Sequence, residues 1–236
     1  MGISEVFTSI EGEGIYLGTK TLFIRLAGCP LRCFYCDTPY ALSMGNGRYY
    51  SMDEAKALIG SRVKGNTFKA NFTGGEPLLQ HEAVRELARY VRDELRLKTY
   101  LESSCYDASR FAYVLPYIDI CKIEFKLSDA HAVMDSHHGR LLENELLCLR
   151  YAVEYGKATY IKVVVTAQSR REEVEELLGM ISGYGLGKGI EGFVLQPVNG
   201  TGEPTLEHML ALYDTVYKYH PNVRIIPQMH KVMGIP

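Results

Sequence analysis

Three of the six cysteines stand close together, in the order Cys29-x3-Cys33-x2-Cys36. Three thiolates on one short loop can ligate three corners of an iron–sulfur cube, because soft sulfur ligands select iron–sulfur clusters or zinc. The remaining cysteines lie singly further along the chain, so the fourth iron of such a cube would have no protein thiolate. A catalytic metal needs an open coordination position, and the spacing therefore predicts a reactive [4Fe–4S] cluster.

Two other interpretations of the cysteine triplet are a zinc site and three unligated thiols. A structural zinc site takes four ligands, and this sequence has neither a second Cys-x-x-Cys nor a nearby Cys/His pair. Closely spaced cysteines in a reducing cytosol indicate metal ligands or redox centres rather than disulfides. The pattern favours the cluster.

A second candidate segment, Gly74-Gly75-Glu76-Pro77, follows a short predicted strand. Glycine lets a backbone approach a ligand closely, and proline stops a strand from continuing. Glu76 could offer its carboxylate to a ligand, or it could begin the next helix, where the helix dipole favours negative charge. By itself this segment could equally be a tight turn.

Two basic residues stand where an anion could bind. Arg25 lies on a predicted strand of otherwise apolar residues and would be costly to bury without an anionic partner. That partner could be a substrate carboxylate, which suits the planar guanidinium, or a structural acid such as Glu13. Lys126 ends another strand, where its ammonium group could meet a carboxylate; the alternative is a surface lysine that reaches water.

The elements that must position these residues alternate between strand and helix about six times. We predict a capping box at Ser51 and Glu54, a second helix start capped by Ser169 and Glu172, and further elements from the apolar patterns. The predicted strands cover residues 20–27, 68–72, 99–103, 118–125, 160–166, 192–196 and 223–226, and the predicted helices include 80–95, 107–115, 140–155 and 206–216.

Such alternation produces a parallel sheet with helices outside, because parallel strands need crossover connections. We predict one α/β domain over residues 1–236, built as a partial (β/α)6 barrel, with an N-terminal segment and a C-terminal tail that complete the site. Barrel active sites lie at the carboxyl ends of the strands. The cysteine loop, the Gly-Gly-Glu-Pro segment, Ser103, Lys126 and Gln196 all fall there.

The composition favours small-molecule chemistry. Hydrophobic residues make up 47%, charged residues 23%, and the net charge is −2 with lysine and arginine scattered. A nucleic-acid binder usually shows a basic stripe, so we expect no nucleic-acid partner. No apolar run approaches the roughly 20 residues of a membrane span, and the first residues do not resemble a secretory signal. We expect a cytoplasmic protein.

The segment from Gly28 to Thr38, preceded by the strand FIRLA, resembles the Cys-x3-Cys-x2-Cys signature of the radical S-adenosylmethionine (SAM) superfamily. This resemblance implies that the cluster binds SAM and that Tyr35 lies against the SAM adenine; the alternative is an ordinary loop aromatic. It further implies that Gly74, Gly75 and Glu76 bind the SAM amino group. The residues that would line the SAM ribose and carboxylate are Ser103, Lys126 and Gln196.

The two ends of the chain, residues 5–14 (EVFTSIEGEG) and 227–236 (PQMHKVMGIP), resemble the 7-carboxy-7-deazaguanine synthase family. That family contracts the ring of 6-carboxy-5,6,7,8-tetrahydropterin, releases ammonia, uses SAM catalytically and needs Mg²⁺. Its product serves deazapurine synthesis toward queuosine and archaeosine. The resemblance also implies a homodimer and a reductant such as flavodoxin or ferredoxin.

The family resemblance assigns substrate and metal contacts. Glu13, Arg25 and His230 are the candidate catalytic residues, and Thr38 would ligate Mg²⁺, although by chemistry alone Asp37-Thr38-Pro39 is just as well a turn. The implied substrate contacts are Glu11, Glu13, Gly14, Arg25, Thr73, His230 and the terminal carboxylate of Pro236. One departure is Glu11, because the family usually has Gln there and an ionised Glu only accepts hydrogen bonds.

Other functions fit parts of the pattern. A glycyl-radical-enzyme activase shares the cysteine spacing and a small barrel, but nothing in it predicts the two chain ends. A non-catalytic zinc-binding or tRNA-interaction module is disfavoured by the acidic balance and the missing fourth ligand. His131, His137 and His138 could bind a metal, although a polar loop is the better interpretation.

Overall fold

The computed structural model describes residues 1–235 and shows alternating strands and helices. The strands are β1 (Gly2–Ile10), β2 (Lys20–Leu26), β3 (Arg48–Tyr49), β4 (Lys69–Gly74), β5 (Lys98–Ser103), β6 (Ile120–Phe125), β7 (Ala158–Val165), β8 (Gly192–Pro197) and β9 (Val223–Ile225). The helices are α1 (Met52–Arg62), α2 (His81–Asp93), α3 (Ala108–Val114), α4 (Asp135–Glu154), α5 (Arg171–Gly183), α6 (Leu206–Tyr217) and α7 (Met229–Met233).

All nine described strands form one sheet in the order β3-β1-β2-β4-β5-β6-β7-β8-β9. From β2 to β9 every neighbouring pair is parallel, whereas β1 runs antiparallel to both β2 and β3. Six strand-to-helix units follow one another from β2 to α6, and β3 and β9 leave the sheet open. The predicted partial barrel is confirmed. The antiparallel strand β1 was not predicted.

The parallel strands bury both faces, and the two faces differ in chemistry. On β2, Leu22, Ile24 and Leu26 belong to the apolar core that also contains helix residues. The alternate residues Phe23 and Arg25 line a cavity on the other face. Because side chains alternate with a period of two along a strand, each strand contributes to both the helix-covered core and the barrel interior.

Two helix starts illustrate what local sequence can predict. The capping box is confirmed: the Glu54 amide donates to the Ser51 hydroxyl at 3.3 Å, and the Ser51 amide donates to the Glu54 carboxylate at 2.8 Å. The predicted cap by Ser169 and Glu172 is wrong. The Ser169 hydroxyl instead accepts from the Thr166 amide at 2.9 Å and donates to a carboxylate at 2.7 Å, so α5 begins without a side-chain cap.

Helix α4 begins five residues before its predicted start and takes in two of the three clustered histidines. His137 and His138 are helical rather than part of a polar loop, and His138 Nε2 lies 2.8 Å from the Lys126 carbonyl oxygen. The tail forms the short helix α7. Within residues 1–235, no helix combines the length and the apolar character needed to cross a bilayer.

Candidate active site

A cavity of 440 Å³ opens at the carboxyl ends of the parallel strands. It gathers residues from segments that lie far apart in the sequence: the loop after β1, the cysteine loop, the ends of β4 to β8 and the C-terminal tail. The predicted site residues that line it are Glu11, Glu13, Arg25, Cys29, Cys33, Tyr35, Cys36, Thr38, Thr73, Gly74, Gly75, Ser103, Lys126, Gln196 and His230.

Cys29, Cys33 and Cys36 are free thiols that line this cavity. Burial raises the pKa of Cys29 to about 11 and also raises the pKa of Cys33, so metal binding here must release protons. Among residues 1–235, only Glu13, Asp37 and His230 bring three potential ligand atoms within 4.8 Å of one another. The three cysteine thiols line one cavity together, so this loop can present all three to a single cluster.

The Gly-Gly-Glu-Pro segment owes its glycines to packing between strands. A Cβ on Gly74 would lie 2.1 Å from the Leu26 carbonyl oxygen, and a Cβ on Gly75 would lie 2.4 Å from the Gly28 carbonyl oxygen. Gly74 also has a φ of +135°, which side chains rarely adopt. Both glycines line the cavity, but the atoms that exclude a side chain belong to the backbone at the end of β2.

Glu76 is fully buried and does not line the cavity. Its carboxylate accepts four hydrogen bonds: from the Leu78 amide at 2.8 Å, the Ser103 hydroxyl at 2.9 Å, and the Ser104 amide and hydroxyl at 2.7 and 2.6 Å. Burial raises the pKa of Glu76, and these donors oppose that rise. In this arrangement the carboxylate joins the end of β4 to the end of β5.

Lys126 is buried in the barrel interior, so the interpretation as a surface lysine is wrong. Its ammonium group pairs with Glu124 and lies 5.6 Å from the centre of the Tyr35 ring. Gln196 is also buried, and its Oε1 has no hydrogen-bond partner within residues 1–235. A buried acceptor without a hydrogen-bond partner destabilises the folded protein. Gln196 Oε1 can therefore accept a hydrogen bond from a ligand.

A network of buried charges, not predicted from the sequence, lines the same cavity. Glu124 lies 2.9 Å from the ammonium of Lys122 and 3.1 Å from that of Lys162, and it also pairs with Lys126. Lys122 lies 3.6 Å from Glu102. Burial alone would raise the pKa of Glu124, yet the three lysines hold that pKa well below its ordinary value. The alternating run Lys122-Ile123-Glu124-Phe125-Lys126 was the available signal, since alternate residues share one face of a strand.

Glu13 is held from two sides. Its Oε2 accepts from the Lys162 ammonium at 2.7 Å, and its Oε1 accepts from the Gln228 amide at 2.9 Å. Burial alone would raise the pKa of Glu13, but Lys162 and Lys122 lower it to about 2. An ionised carboxylate fixed in this way is a strong hydrogen-bond acceptor at the cavity wall.

Arg25 does not pair with Glu13. Its Nε donates to Glu5 on the neighbouring strand β1 at 2.9 Å, and the Tyr40 hydroxyl donates to the same carboxylate oxygen at 2.8 Å. Within residues 1–235 the structure records no hydrogen bond from the terminal Nη groups of Arg25, which lines the cavity. The guanidinium therefore has an anionic partner and keeps donors for a second anion.

The loop after β1 and the C-terminal tail are packed against each other. The Met229 amide donates to the Gly12 carbonyl oxygen at 2.9 Å, and a Cβ on Gly12 would lie 2.7 Å from the His230 Cβ. The imidazole of His230 lies 3.8 Å from both Glu13 and Asp37, and the Gln228 amide donates to Asp37 at 2.8 Å. This contact closes one side of the cavity.

Replacing Gly12 with Ala is expected to weaken substrate binding, because the new methyl group would push His230 away from its place in the cavity wall. The expected result is a higher KM for a substrate bound between this loop and the tail, with an unchanged KM for a ligand bound beside the cysteines. Steady-state kinetics measures both constants, and Gly179→Ala on α5 is a matched control, since a Cβ there meets no atom within 4 Å. A KM that Gly12→Ala leaves unaltered would contradict this reasoning.

One predicted substrate residue within residues 1–235 stands apart from the cavity. Gly14 does not line it; a Cβ at Gly14 would lie 2.0 Å from the Tyr160 hydroxyl, so this glycine permits packing at the barrel floor. Pro236 lies outside the described residues. Thr38 lines the cavity, with its hydroxyl 3.9 Å from the Cys36 sulfur.

Comparisons with known proteins address the identity of this site. The 4Fe-4S single cluster domain family matches residues 10–140, more than half of the chain. The 7-carboxy-7-deazaguanine synthase of Methanocaldococcus jannaschii is 31% identical, over 99% of this chain and 99% of that protein. The chain belongs to the 7-carboxy-7-deazaguanine synthase family. The synthase of Archaeoglobus fulgidus is a further relative, 30% identical over 98% of this chain and 97% of that protein.

Solved structures add to the family assignment at the level of the fold. QueE from Escherichia coli superimposes with a TM-score of 0.63 at 20% identity, over 97% of this chain and 94% of that chain. Streptococcus suis SuiB bound to S-adenosylmethionine gives a TM-score of 0.57 at 19% identity, over 85% of this chain and 48% of that one. The radical SAM fold and the 7-carboxy-7-deazaguanine synthase family predicted from the cysteine loop and the two chain ends are confirmed.

Proposed function

We propose that this chain is a radical SAM enzyme that converts 6-carboxy-5,6,7,8-tetrahydropterin to 7-carboxy-7-deazaguanine with release of ammonia. The product would enter deazapurine synthesis toward queuosine or archaeosine. The observation that carries the proposal is that residues near both chain ends line the same cavity as the three cysteines. It agrees with the relatives that bear this synthase name, which match nearly the whole chain.

Cys29, Cys33 and Cys36 would hold a [4Fe–4S] cluster and leave one iron open for SAM. The donor set fits this group, since three free thiols from one loop share one cavity. When bound, the cluster and SAM would supply a carbon radical that removes a hydrogen atom from the substrate. We propose that Tyr35, Gly74, Gly75, Ser103, Lys126 and Gln196 contact SAM.

Glu76 would act on the SAM site through other residues. Since its carboxylate already accepts four hydrogen bonds, we propose that Glu76 positions Ser103 and Ser104 rather than meeting the SAM amino group itself. Lys126 is better placed for an anion. Its buried ammonium group, beside the Tyr35 ring, would meet the SAM carboxylate.

The substrate would occupy the side of the cavity between the loop after β1 and the tail. Glu13, ionised and held by Lys162 and Gln228, would accept from the donor edge of the pterin. The free Nη groups of Arg25 would bind the substrate carboxylate, while Nε stays with Glu5. Thr73 and His230 would contribute further hydrogen bonds from the cavity wall.

Magnesium would lie beside Thr38. The hydroxyl of Thr38 is a hard oxygen donor. A carboxylate oxygen of the adjacent Asp37 lies within 4.8 Å of a potential ligand atom of Glu13 and of one of His230. We also propose a homodimer, a flavodoxin or ferredoxin as reductant, and a reducing cytoplasmic location, all of which follow from the family. Thiolate ligation of a cluster agrees with a reducing compartment.

The test is anaerobic incubation of the reconstituted, reduced protein with SAM, Mg²⁺ and the pterin. We expect 7-carboxy-7-deazaguanine and ammonia in equal amounts, with SAM consumed in less than stoichiometric quantity. Accumulation of 5′-deoxyadenosine without a deazaguanine product would show that the substrate is a different molecule. A protein that binds zinc and no iron would refute radical chemistry altogether.

A further inference from the structure

Glu11, the residue that departs from the family's usual glutamine, has a buried cationic partner. Its Oε2 accepts from the ammonium of Lys69, which is fully buried at the start of β4. The same ammonium donates to the Thr21 hydroxyl at 3.0 Å and lies 4.3 Å from the centre of the Tyr100 ring. Contacts from β2 and β5, besides the Glu11 loop, therefore fix this one charge.

The two oxygen atoms of the Glu11 carboxyl group have different surroundings. Glu11 lines the cavity, whereas Lys69 is absent from the lining within residues 1–235. Oε2 accepts from Lys69. Within the same residues, Oε1 makes no hydrogen bond and stays accessible to solvent. One oxygen is thus used by the protein and the other can accept a hydrogen bond from a bound molecule.

Lys69 also fixes the direction of this acceptor. Burial raises the pKa of Glu11, and the contact with Lys69 opposes that rise. Glu102 and Glu13 lie nearby and favour the protonated form of Glu11. Without Lys69, the carboxyl group would lose the partner that holds Oε2 in the interior, and with it the orientation that leaves Oε1 at the cavity.

We infer that Glu11 and Lys69 form one specificity-determining unit, in which Lys69 is a positioning residue that holds one carboxyl oxygen of Glu11 in the interior and leaves the other at the cavity as an acceptor. This inference rests on the proposed function, because it assigns Glu11 to the amino-bearing edge of the pterin. The unit selects a substrate edge that carries N–H donors and rejects one that presents a carbonyl oxygen at the same place, since two acceptors repel each other.

The experiment compares the wild type with K69M, E11Q and the double variant E11Q/K69M, all as cluster-reconstituted enzymes with SAM. Calorimetry measures the Kd of the pterin and of its analogue in which an oxo group replaces the 2-amino group. K69M should weaken pterin binding by roughly tenfold to a hundredfold, the range for one hydrogen bond to a charged group. SAM binding should stay unchanged.

The double variant keeps the test valid if a single variant fails to fold, because it replaces a buried ion pair with a neutral pair of similar size. An amide can either donate or accept, so E11Q/K69M should discriminate between the pterin and its oxo analogue about tenfold less than the wild type does. A discrimination ratio equal to that of the wild type, accompanied only by a lower melting temperature, would overturn the inference. Failure of the proposed function would look different: the wild type would bind the pterin and form no deazaguanine.

Discussion

Replacing Cys33 with Ala is expected to abolish assembly of the cluster and, with it, all cleavage of SAM. The protein supplies three thiols around the cavity, and the remaining cysteines cannot substitute for a lost one. Cys105, Cys121 and Cys148 are all fully buried in the apolar core behind the strands. Because the fourth iron must stay open for SAM, the site has no ligand in reserve.

Iron and sulfide analysis of the anaerobic protein, together with chromatography of 5′-deoxyadenosine, measures this effect. Cys121→Ala is the matched control: it removes a thiol from β6 on the face that packs against the helices and should retain the full iron content. A Cys33→Ala protein that still holds four irons and cleaves SAM would refute the assignment of the cysteine loop.

Replacing Glu124 with Gln is expected to cause the largest loss of stability among single substitutions in the barrel interior. The change leaves the ammonium groups of Lys122, Lys126 and Lys162 around a neutral amide. Removing one partner from a buried ion pair typically costs about 3–5 kcal/mol, because the other charge remains desolvated. We expect a loss of that size in the free energy of unfolding, measured by urea denaturation of identically prepared proteins.

The surface pair of Lys56 and Glu86, 2.8 Å apart, provides the control. Glu86→Gln should change the free energy of unfolding by about 0–1 kcal/mol, since water screens both groups. The second measurement is the free energy of unfolding as a function of pH. The lysines hold the pKa of Glu124 below its unfolded value of 4.5. The contribution of Glu124 to the free energy of unfolding is therefore complete above pH 4.5 and disappears as the pH falls through the lower pKa of the folded state. Equal effects of the two substitutions at neutral pH would contradict the role given to Glu124.

Local patterns along the chain were sufficient to predict the iron–sulfur cluster family and the α/β architecture. The spacing of Cys29, Cys33 and Cys36 lies within one loop, and a loop of that length can present all three thiols to one cluster. The capping box at Ser51 and Glu54 depends on neighbours three residues apart, and the alternation of strands with helices leaves few topologies open. Each of these features depends on short separations in sequence.

The tertiary structure alone decided which charges meet. Lys162 reaches Glu13 across 149 positions of sequence, and Gln228 reaches it across 215, so neither pairing leaves a local trace. The partner of Arg25 is Glu5 because β1 pairs antiparallel with β2, a strand that the sequence did not predict. Residue types and short spacings determined the cofactor and the fold class. The packing of the strands around one interior determined the ion pairs of the site, since only that packing brings distant side chains within a few ångströms.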